Sequence, residues 1–188
     1  MKDSEFIRGK VPMTKEVVRA VILDFLDISK IGSFIDIGAG TGSVSIQGAR
    51  TNPSCRVTAV ETNPQALDLI RKNVDKFGLK NIDLVEGLAP CGQIESKFDG
   101  AYVGGSKGRL EDIIDWTHGL LNEGGVLVLS FILIENAMKA YDYLWEGPWE
   151  NISMVKVEAA ELTKLGPGHY FKPNNPSLVI RAERKEND

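Results

Sequence analysis

A glycine-rich turn over Asp36–Gly42 stands between a short apolar run and a helical pattern, and it is the segment best suited to chemistry. Glycines at such a turn let the backbone approach a ligand closely, and the helix that follows offers free N–H groups. The glycines are spaced G-x-G-x-G, and Ser43 stands where a dinucleotide-binding fingerprint has its last small residue. The turn therefore predicts a small-molecule site, although tight packing of a strand on a helix would also explain the glycines.

An acidic residue, Glu61, ends the second predicted strand, and Thr62 and Asn63 follow it. A carboxylate at this place can accept hydrogen bonds from both hydroxyls of a ribose, which a neutral side chain does less well. An exposed acid at a strand end is the simpler explanation of Glu61 alone. The neighbouring glycine turn favours the ribose interpretation.

Helix-like and strand-like patterns alternate along the chain, and these elements must position the turns. Helices are predicted over Thr14–Ile28, with Thr14 as the N-cap, and over Thr41–Arg50, Pro64–Phe77, Leu110–Leu121 and Glu135–Leu144. Strands are predicted over Ser33–Ile37, Arg56–Val60, Ile82–Val85, Phe98–Val103, Val126–Ile134, Ile152–Leu162 and Ser177–Arg184. Such alternation indicates right-handed crossovers and a parallel sheet.

The predicted fold is α/β, with a doubly wound, mostly parallel seven-stranded sheet and helices on both faces. Only a loop over Leu165–Pro176 separates the last two strands, so we expect an antiparallel edge hairpin at the C-terminus. A ligand of such a sheet binds outside the carboxyl ends of its strands. These ends fall at Gly38–Gly42, Glu61–Asn63, Glu86–Ala89 and Gly104–Arg109.

The composition is that of one ordinary globular domain. The 188 residues carry 22 Lys and Arg against 26 Asp and Glu, a net charge of −4, which disfavours both a disordered chain and a general nucleic-acid binder. The longest apolar run is too short to span a membrane, and the two cysteines and two histidines have no metal-ligand spacing. We expect a cytoplasmic single domain over 1–188, with a covering segment 1–32, a binding core 33–148 and a C-terminal hairpin 149–188.

The glycine turn behind Asp36, together with the acid at the next strand end, resembles the class I S-adenosylmethionine-dependent methyltransferases. The resemblance implies S-adenosylmethionine as cofactor and S-adenosylhomocysteine as product. It also places the turn after Glu86 along the adenine, where the side chain of Leu88 can offer only apolar contact. The cofactor-binding residues that it implies are Thr14, Asp36, Gly38, Ala39, Gly40, Thr41, Gly42, Glu61, Thr62, Gly87, Leu88, Ala89 and Gly104.

The loop after the fourth strand indicates the class of methyl acceptor. Amino-directed methyltransferases carry Asn/Asp-Pro-Pro-Tyr/Phe there, whereas this chain has the segment Val103–Gly108, with the sequence VGGSKG. A cytosine C5 enzyme needs a cysteine nucleophile. Cys91 lies on a different loop and is expected to be structural, so both of these classes are disfavoured.

Almost the whole chain resembles the precorrin-6B C15-methyltransferase (decarboxylating) family of cobalamin biosynthesis. The segments that carry the resemblance are Asp3–Ile7, Val11–Val17, Asp36–Gly42, Glu86–Pro90, Val103–Ser106, Ile132–Glu135 and Asn175–Pro176. The resemblance implies methyl transfer to bridge carbon C15 of a tetrapyrrole and loss of CO2 from the ring C acetate. It further implies a homotetramer and a functional pairing with the C5-methyltransferase of the same pathway.

A substrate with several carboxylates requires a locally basic site in this acidic protein. Basic candidates at the strand ends are Arg8, Lys10, Lys15, Lys107, Arg109 and Lys172. The expected substrate-binding residues are Gly105, Ser106, Lys107, Arg109, Glu135 and Lys172. We predict no fixed catalytic group, because the sulfonium methyl and the conjugated macrocycle carry much of the reactivity, and the protein mainly has to align them. If a side chain does take part in catalysis, the candidates are Ser106 and Glu135, which is expected to end the fifth strand.

Two alternatives remain open at this point. One is an RNA methyltransferase of the tRNA adenine-N1 type, which the acidic balance and the absence of a second domain disfavour. The other is a non-catalytic subunit that binds the cofactor, which the glycine turn and Glu61 do not exclude.

Overall fold

Five α-helices and nine β-strands form within residues 1–186, the part of the chain that the computed structural model describes. The last two residues of the predicted segment 149–188 lie outside it. The helices are α1 (Glu16–Phe25), α2 (Ser43–Thr51), α3 (Pro64–Phe77), α4 (Leu110–Leu120) and α5 (Ile134–Glu146). The strands are β1 (Ser33–Ile37), β2 (Arg56–Glu61), β3 (Ile82–Glu86), β4 (Phe98–Val103), β5 (Leu121–Phe131), β6 (Trp149–Val157), β7 (Ala160–Leu165), β8 (Gly168–Pro173) and β9 (Ser177–Arg184).

Seven of these strands form one sheet in the order β3-β2-β1-β4-β5-β9-β6. The first five pair in parallel, and β9 pairs antiparallel with both β5 and β6. The strand order reverses between β1 and β4, so a ligand crevice is expected outside the carboxyl ends of these two strands. The predicted α/β fold, with its antiparallel C-terminal edge, is confirmed.

Helices cover both faces of the sheet. On one face, Ile35 and Leu127 pack in the same buried cluster as residues of α4 and α5. On the other face, Phe34 and Val128 pack with α1 and α2. The central strands β1 and β4 and the second half of β5 therefore bury both of their sides, which explains the near-continuous apolar runs there.

Strand β5 differs at both ends from the strand that we predicted over Val126–Ile134. It begins earlier, because Phe98 of β4 pairs with Leu121 before an irregularity in the register, so Gly124 and Gly125 lie within the strand. It ends before residues 132–134, which are exposed apolar side chains. The prediction that Glu135 ends this strand is wrong, since Glu135 lies in the first turn of α5.

The C-terminal region contains a hairpin where we predicted the end of a strand and a loop over Leu165–Pro176. Strand β6 stops at Val157, and β7 and β8 then pair antiparallel as a separate two-stranded sheet. Leu165 pairs with Gly168, so the turn between them is two residues long. Gly166 has a φ of +57°, as the first central position of a type II′ hairpin turn requires.

The N-terminal segment is held against the domain by Arg19, whose side chain is fully buried. Its guanidinium donates to Asp3 Oδ1 at 2.7 Å, to the carbonyl of Met1 at 2.8 Å and to Gln47 Oε1 at 3.0 Å. It also donates to the carbonyl of Thr14. Thr14 is therefore not the N-cap that we predicted, because α1 begins only at Glu16, after Lys15.

Candidate functional site

A large cleft opens at the carboxyl ends of β1, β4 and β5, where the switch in strand order predicts it. Its volume is about 940 Å³, and a smaller compartment of about 120 Å³ adjoins it. The walls of the large cleft include segments 11–15, 38–41, 102–108, 130–133 and 173–175. This volume is near the upper end of the range of about 300–1,000 Å³ that small-molecule sites span.

The glycine turn forms one wall of the cleft, and its shape is possible only because glycine has no side chain. Gly38 has a φ of +71°, and a Cβ atom there would stand 2.8 Å from the carbonyl oxygen of Gly105. The amides of Gly38 and Ala39 both donate to the carbonyl of Val60 at 3.0 Å. Thr41 also lines the cleft, and its buried Oγ1 has no hydrogen-bond partner among the described residues. The turn thus joins the ends of β1, β2 and β4.

Gly42, which we predicted to bind the cofactor, is not among the described residues that line the cleft. It has a φ of +71° and precedes α2 as the N-cap. A Cβ atom there would stand 2.8 Å from Cγ1 of Ile70 in α3. Glycine at this position therefore permits close packing of α2 on α3, and the expected direct contact of Gly42 with the ligand is not supported by the structure.

Glu61 lies between the two compartments and is 7% exposed. Its Oε2 accepts a hydrogen bond from the amide of Gly40 at 2.8 Å. Its Oε1 accepts from the amides of Thr62 at 2.7 Å and Asn63 at 2.8 Å. The carboxylate therefore both fixes the glycine turn and faces the cleft with further acceptor capacity.

Asp36 lies behind the glycine turn instead of on the cleft wall, and it is fully buried. Its Oδ2 accepts hydrogen bonds from the backbone amide of Ser45 at 3.1 Å and from the Ser45 hydroxyl at 2.5 Å. These bonds fix the first turn of α2, so the contribution of Asp36 to the site is to hold the turn in place. Burial raises the pKa of Asp36 to about 6, and the nearby charge of Glu61 adds to the shift.

Replacing Asp36 with asparagine should change how stability depends on pH. The pKa of Asp36 is about 6 in the folded protein, above its usual value of 3.8, so its stabilising contribution is complete near pH 3 and is lost as the pH rises through 6. Relative to wild type, the free energy of unfolding of Asp36→Asn should rise by about 2 kcal/mol between pH 4 and pH 8. Urea unfolding at both pH values measures this, with exposed Asp83→Asn as the control. Parallel pH curves for Asp36→Asn and wild type would contradict it.

The smaller compartment is formed where we predicted the adenine turn. The amide of Gly87 donates to the carbonyl of Glu61 at 3.0 Å, so the ends of β2 and β3 are joined. Leu88 is 48% exposed and Ala89 is buried, and both line this compartment. Ile113 of α4 lines it too and was missed, because its helical spacing marked it only as a core residue.

The loop after β4 reaches both compartments through Gly105, Ser106 and Lys107. The ammonium of Lys107 donates a hydrogen bond to the hydroxyl of Thr62, so Lys107 extends toward the end of β2. Arg109 is not among the described lining residues, and its Nε pairs with Asp112 at 3.3 Å. The substrate contact that we predicted for Arg109 is therefore not supported, while Lys107 is at the cleft.

Two other predicted substrate residues, Glu135 and Lys172, are exposed and lie outside the described cleft lining. Glu135 points elsewhere because it falls on α5, where its neighbour Asn136 lines the cleft instead. Lys172 belongs to β8, and the cleft is lined by the asparagines that follow at 174 and 175. The first shift arises because β5 ends earlier than predicted, and the second because β8 forms where we predicted a loop.

The floor of the cleft contains a tyrosine that the sequence interpretation missed. The hydroxyls of Tyr102 on β4 and Ser130 on β5 share a hydrogen bond of 2.7 Å, and both residues line the cleft. Thr14 also lines it. Burial raises the pKa of Tyr102 to about 12. In the sequence, both residues look like ordinary members of buried strands.

Within residues 1–186, neither a metal site nor a membrane-spanning helix is found. No group of three or more His, Cys, Asp or Glu side chains is placed to hold a metal ion there. Nor does any helix of that part combine the length and apolar character needed to cross a membrane.

The sheet order, the glycine turn and the buried acid at the end of β2 together define the fold of the class I S-adenosylmethionine-dependent methyltransferases. The chain belongs to the precorrin methyltransferase domain family, which matches residues 5–184. It is accordingly an enzyme, and the interpretation as a non-catalytic subunit is no longer needed.

Three proteins illustrate the similarity. The cobalt-precorrin-6B C(15)-methyltransferase (decarboxylating) of Salmonella typhimurium is 48% identical over 188 residues, which cover all of this chain and 97% of that protein. The crystal structure of precorrin-6y C5,15-methyltransferase from Geobacter metallireducens is 36% identical, with a TM-score of 0.91 over 98% of this chain and 97% of the other. The precorrin 8W decarboxylase structure from Methanobacterium thermoautotrophicum is 31% identical, with a TM-score of 0.88 over 96% and 98%.

Proposed function

We propose that the protein methylates C15 of precorrin-6B, or of its cobalt-containing form, and removes CO2 from the ring C acetate, in cobalamin biosynthesis. The observation that carries the proposal is the 48% identity, over the full length, to a relative whose name states this activity. An RNA substrate is disfavoured by that identity and by the net charge of −4.

The cofactor end of the site fits S-adenosylmethionine. Glu61 would accept hydrogen bonds from the ribose hydroxyls, because its carboxylate faces the cleft and is already held by three backbone amides. Leu88 and Ile113 would enclose the adenine through apolar contact. The methionine part would lie along the glycine turn toward Thr14 and Gly104. S-Adenosylmethionine supplies an electrophilic methyl group when it is bound.

The remainder of the cleft has the chemistry that a carboxylate-rich macrocycle requires. Lys15 and Lys107 provide positive charge, and their neighbours on the wall include the amide side chains of Asn136, Asn174 and Asn175. Ammonium and amide N–H groups are both donors to carboxylate oxygens. The wall also includes apolar residues 131–133, against which the face of the ring system would pack.

Mass spectrometry of a reaction with S-adenosylmethionine and an enzymatically prepared precorrin-6B or cobalt-precorrin-6B pool tests this function. We expect a macrocycle that has gained one methyl group and lost one CO2, together with one S-adenosylhomocysteine per turnover. Cofactor binding without any change in the macrocycle would contradict the substrate assignment. Methyl transfer to tRNA in a parallel reaction would favour the RNA alternative.

A further part of the proposal is that the enzyme is a homotetramer whose copies cover the hairpin β7–β8. All six residues of β8 are exposed, and Leu162, Leu165 and Phe171 are 64–69% exposed. An isolated two-stranded hairpin is marginally stable in water, so a second copy would bury this apolar surface. The double variant Leu162→Asp, Phe171→Asp should sediment as a smaller species, while Lys164→Glu on the same hairpin should not. A tetramer that survives the double substitution would contradict this role of the hairpin.

The pathway context gives two further expectations. We place the enzyme in the cytoplasm, where Cys55 and Cys91, both free thiols, would remain reduced. The second methylation, at C5, would come from a separate methyltransferase that acts on the same macrocycle.

A further inference from the structure

A protonated phenol, that of Tyr102, lies at the floor of the cleft, where the proposed reaction has to move a proton. Tyr102 is 2% exposed as a whole residue, yet it lines the cleft together with Ser130. The burial that raises its pKa to about 12 keeps its proton on the oxygen at physiological pH. Its register partner on β1 is Asp36, whose buried carboxylate disfavours the phenolate further.

The loop above the phenol carries a glycine, Gly104, so no side chain of that residue covers the phenol. A Cβ atom on Gly104 would stand 3.3 Å from the Tyr102 hydroxyl and 3.2 Å from its Cε1. Gly104 has no left-handed φ that would require glycine, so the backbone conformation does not explain the residue. The absence of a side chain at this position keeps the space beside the phenol free.

Loss of CO2 from an acetate side chain requires one proton. The bond between the methylene carbon and the carboxylate breaks, and its electron pair enters the conjugated ring system. That pair must then form a C–H bond at the same carbon, so that the acetate becomes a methyl group. The proton has to come from a group inside the cleft or from water.

On the basis of the proposed function, we propose that Tyr102 is the proton donor in the decarboxylation and that Ser130 returns the proton to it. The phenol O–H bond breaks as the new C–H bond forms, which leaves a phenolate hydrogen bonded to Ser130 at 2.7 Å. Ser130 is half-buried and can pass a proton from water to the phenolate. One proton from water is therefore consumed for each CO2 released, and Tyr102 is regenerated.

The other acidic groups on the cleft wall are less well placed for this step. Lys15 is 41% exposed in its side chain and lies 3.5 Å from Asp3, at the N-terminal edge of the cleft. Lys107 is exposed and bonds to Thr62 near the cofactor end. Tyr102 is the buried donor, enclosed by the strands on which the reacting part of a ligand would rest.

The test compares Tyr102→Phe with wild type, with Tyr143→Phe as the matched control. Tyr143 bonds to Asp115 at 2.8 Å and is outside the described cleft lining, so its loss of a hydroxyl should leave turnover unchanged. CO2 release and S-adenosylhomocysteine formation are measured in H2O and D2O on the prepared macrocycle pool. Cofactor affinity is measured by calorimetry with S-adenosylhomocysteine.

For Tyr102→Phe we expect kcat for CO2 release to fall about 100-fold, with KM and cofactor affinity within twofold of wild type. The ratio of kcat in H2O to kcat in D2O should differ between wild type and the variant, because water supplies the proton directly in the variant. Ser130→Ala should show a smaller fall. Unchanged kcat in Tyr102→Phe, or a loss explained by KM or cofactor affinity alone, would overturn the assignment of Tyr102. No turnover by wild type would overturn the proposed function, and this inference with it.

Discussion

Replacing Glu61 with alanine should weaken binding of S-adenosylmethionine on the order of 100-fold, or about 3 kcal/mol. The substitution removes the expected acceptor of the ribose hydroxyls. It also removes the partner of three backbone amides, those of Gly40, Thr62 and Asn63, so the glycine turn loses the group that fixes it. Both effects act on the cofactor, because the turn and the carboxylate face the same cleft.

Calorimetry with S-adenosylhomocysteine measures this effect, and the chain offers a close control in Glu86→Ala. Glu86 ends β3 and is the register partner of Glu61, but it is exposed and is not among the described cleft residues. Its loss should change affinity by less than twofold. Equal affinities of a folded Glu61→Ala protein and wild type would remove Glu61 from the cofactor site. Glu61→Gln should show an intermediate loss, because one amide of the turn would then face an NH2 group.

Replacing Arg19 with leucine should lower the free energy of unfolding by about 3 kcal/mol. The guanidinium is fully buried and is bonded to the side chains of Asp3 and Gln47 and to two backbone carbonyls. Leucine can fill part of the volume, but it leaves these acceptors without their donor. The carboxylate of Asp3 is 16% exposed, so its charge would lose its strongest partner in a poorly hydrated place.

Urea unfolding measures the stability of Arg19→Leu, with Arg56→Leu as the control. Arg56 pairs with Asp83 at 3.0 Å on the surface, where both side chains are more than half exposed, so its loss should cost less than about 1 kcal/mol. Arg19→Leu should also weaken cofactor binding, because residues 11–15 form part of the cleft wall and Arg19 bonds to the carbonyl of Thr14. Equal effects of the two substitutions would show that the N-terminal segment is held by other contacts.

Sequence patterns located the parts of the site that depend on local backbone chemistry. The glycine turn was predictable because a positive φ and a close approach of chains require glycine at Gly38, whatever packs around it. Glu61 was predictable because the end of a parallel strand next to such a turn lies at the ligand crevice. The turn after β3 and the loop after β4 followed from the same rule; the first lines the smaller compartment and the second lines both.

Patterns were less informative where an element boundary decides which side chain faces the cleft. Strand β5 ends a few residues earlier than predicted, so Glu135 is exposed in the first turn of α5 and Asn136 lines the cleft. The hairpin β7–β8 was hidden because its strands are short and exposed on both faces, so they show no apolar alternation. Local patterns set element type more firmly than element ends.

The sequence by itself determined the α/β class, the order of the elements, the glycine turn and the acid beside it, because each depends on periodicity or on the conformational needs of one short segment. Only the tertiary structure decided which polar side chains meet. Tyr102 and Ser130 are 28 positions apart and become partners through the register of two parallel strands. Arg19 similarly depends on Met1, Asp3 and Gln47 lying around one buried point. Contacts between such distant residues are fixed by the packing of whole helices and strands. No local sequence pattern encodes the distance between two side chains that the fold brings together.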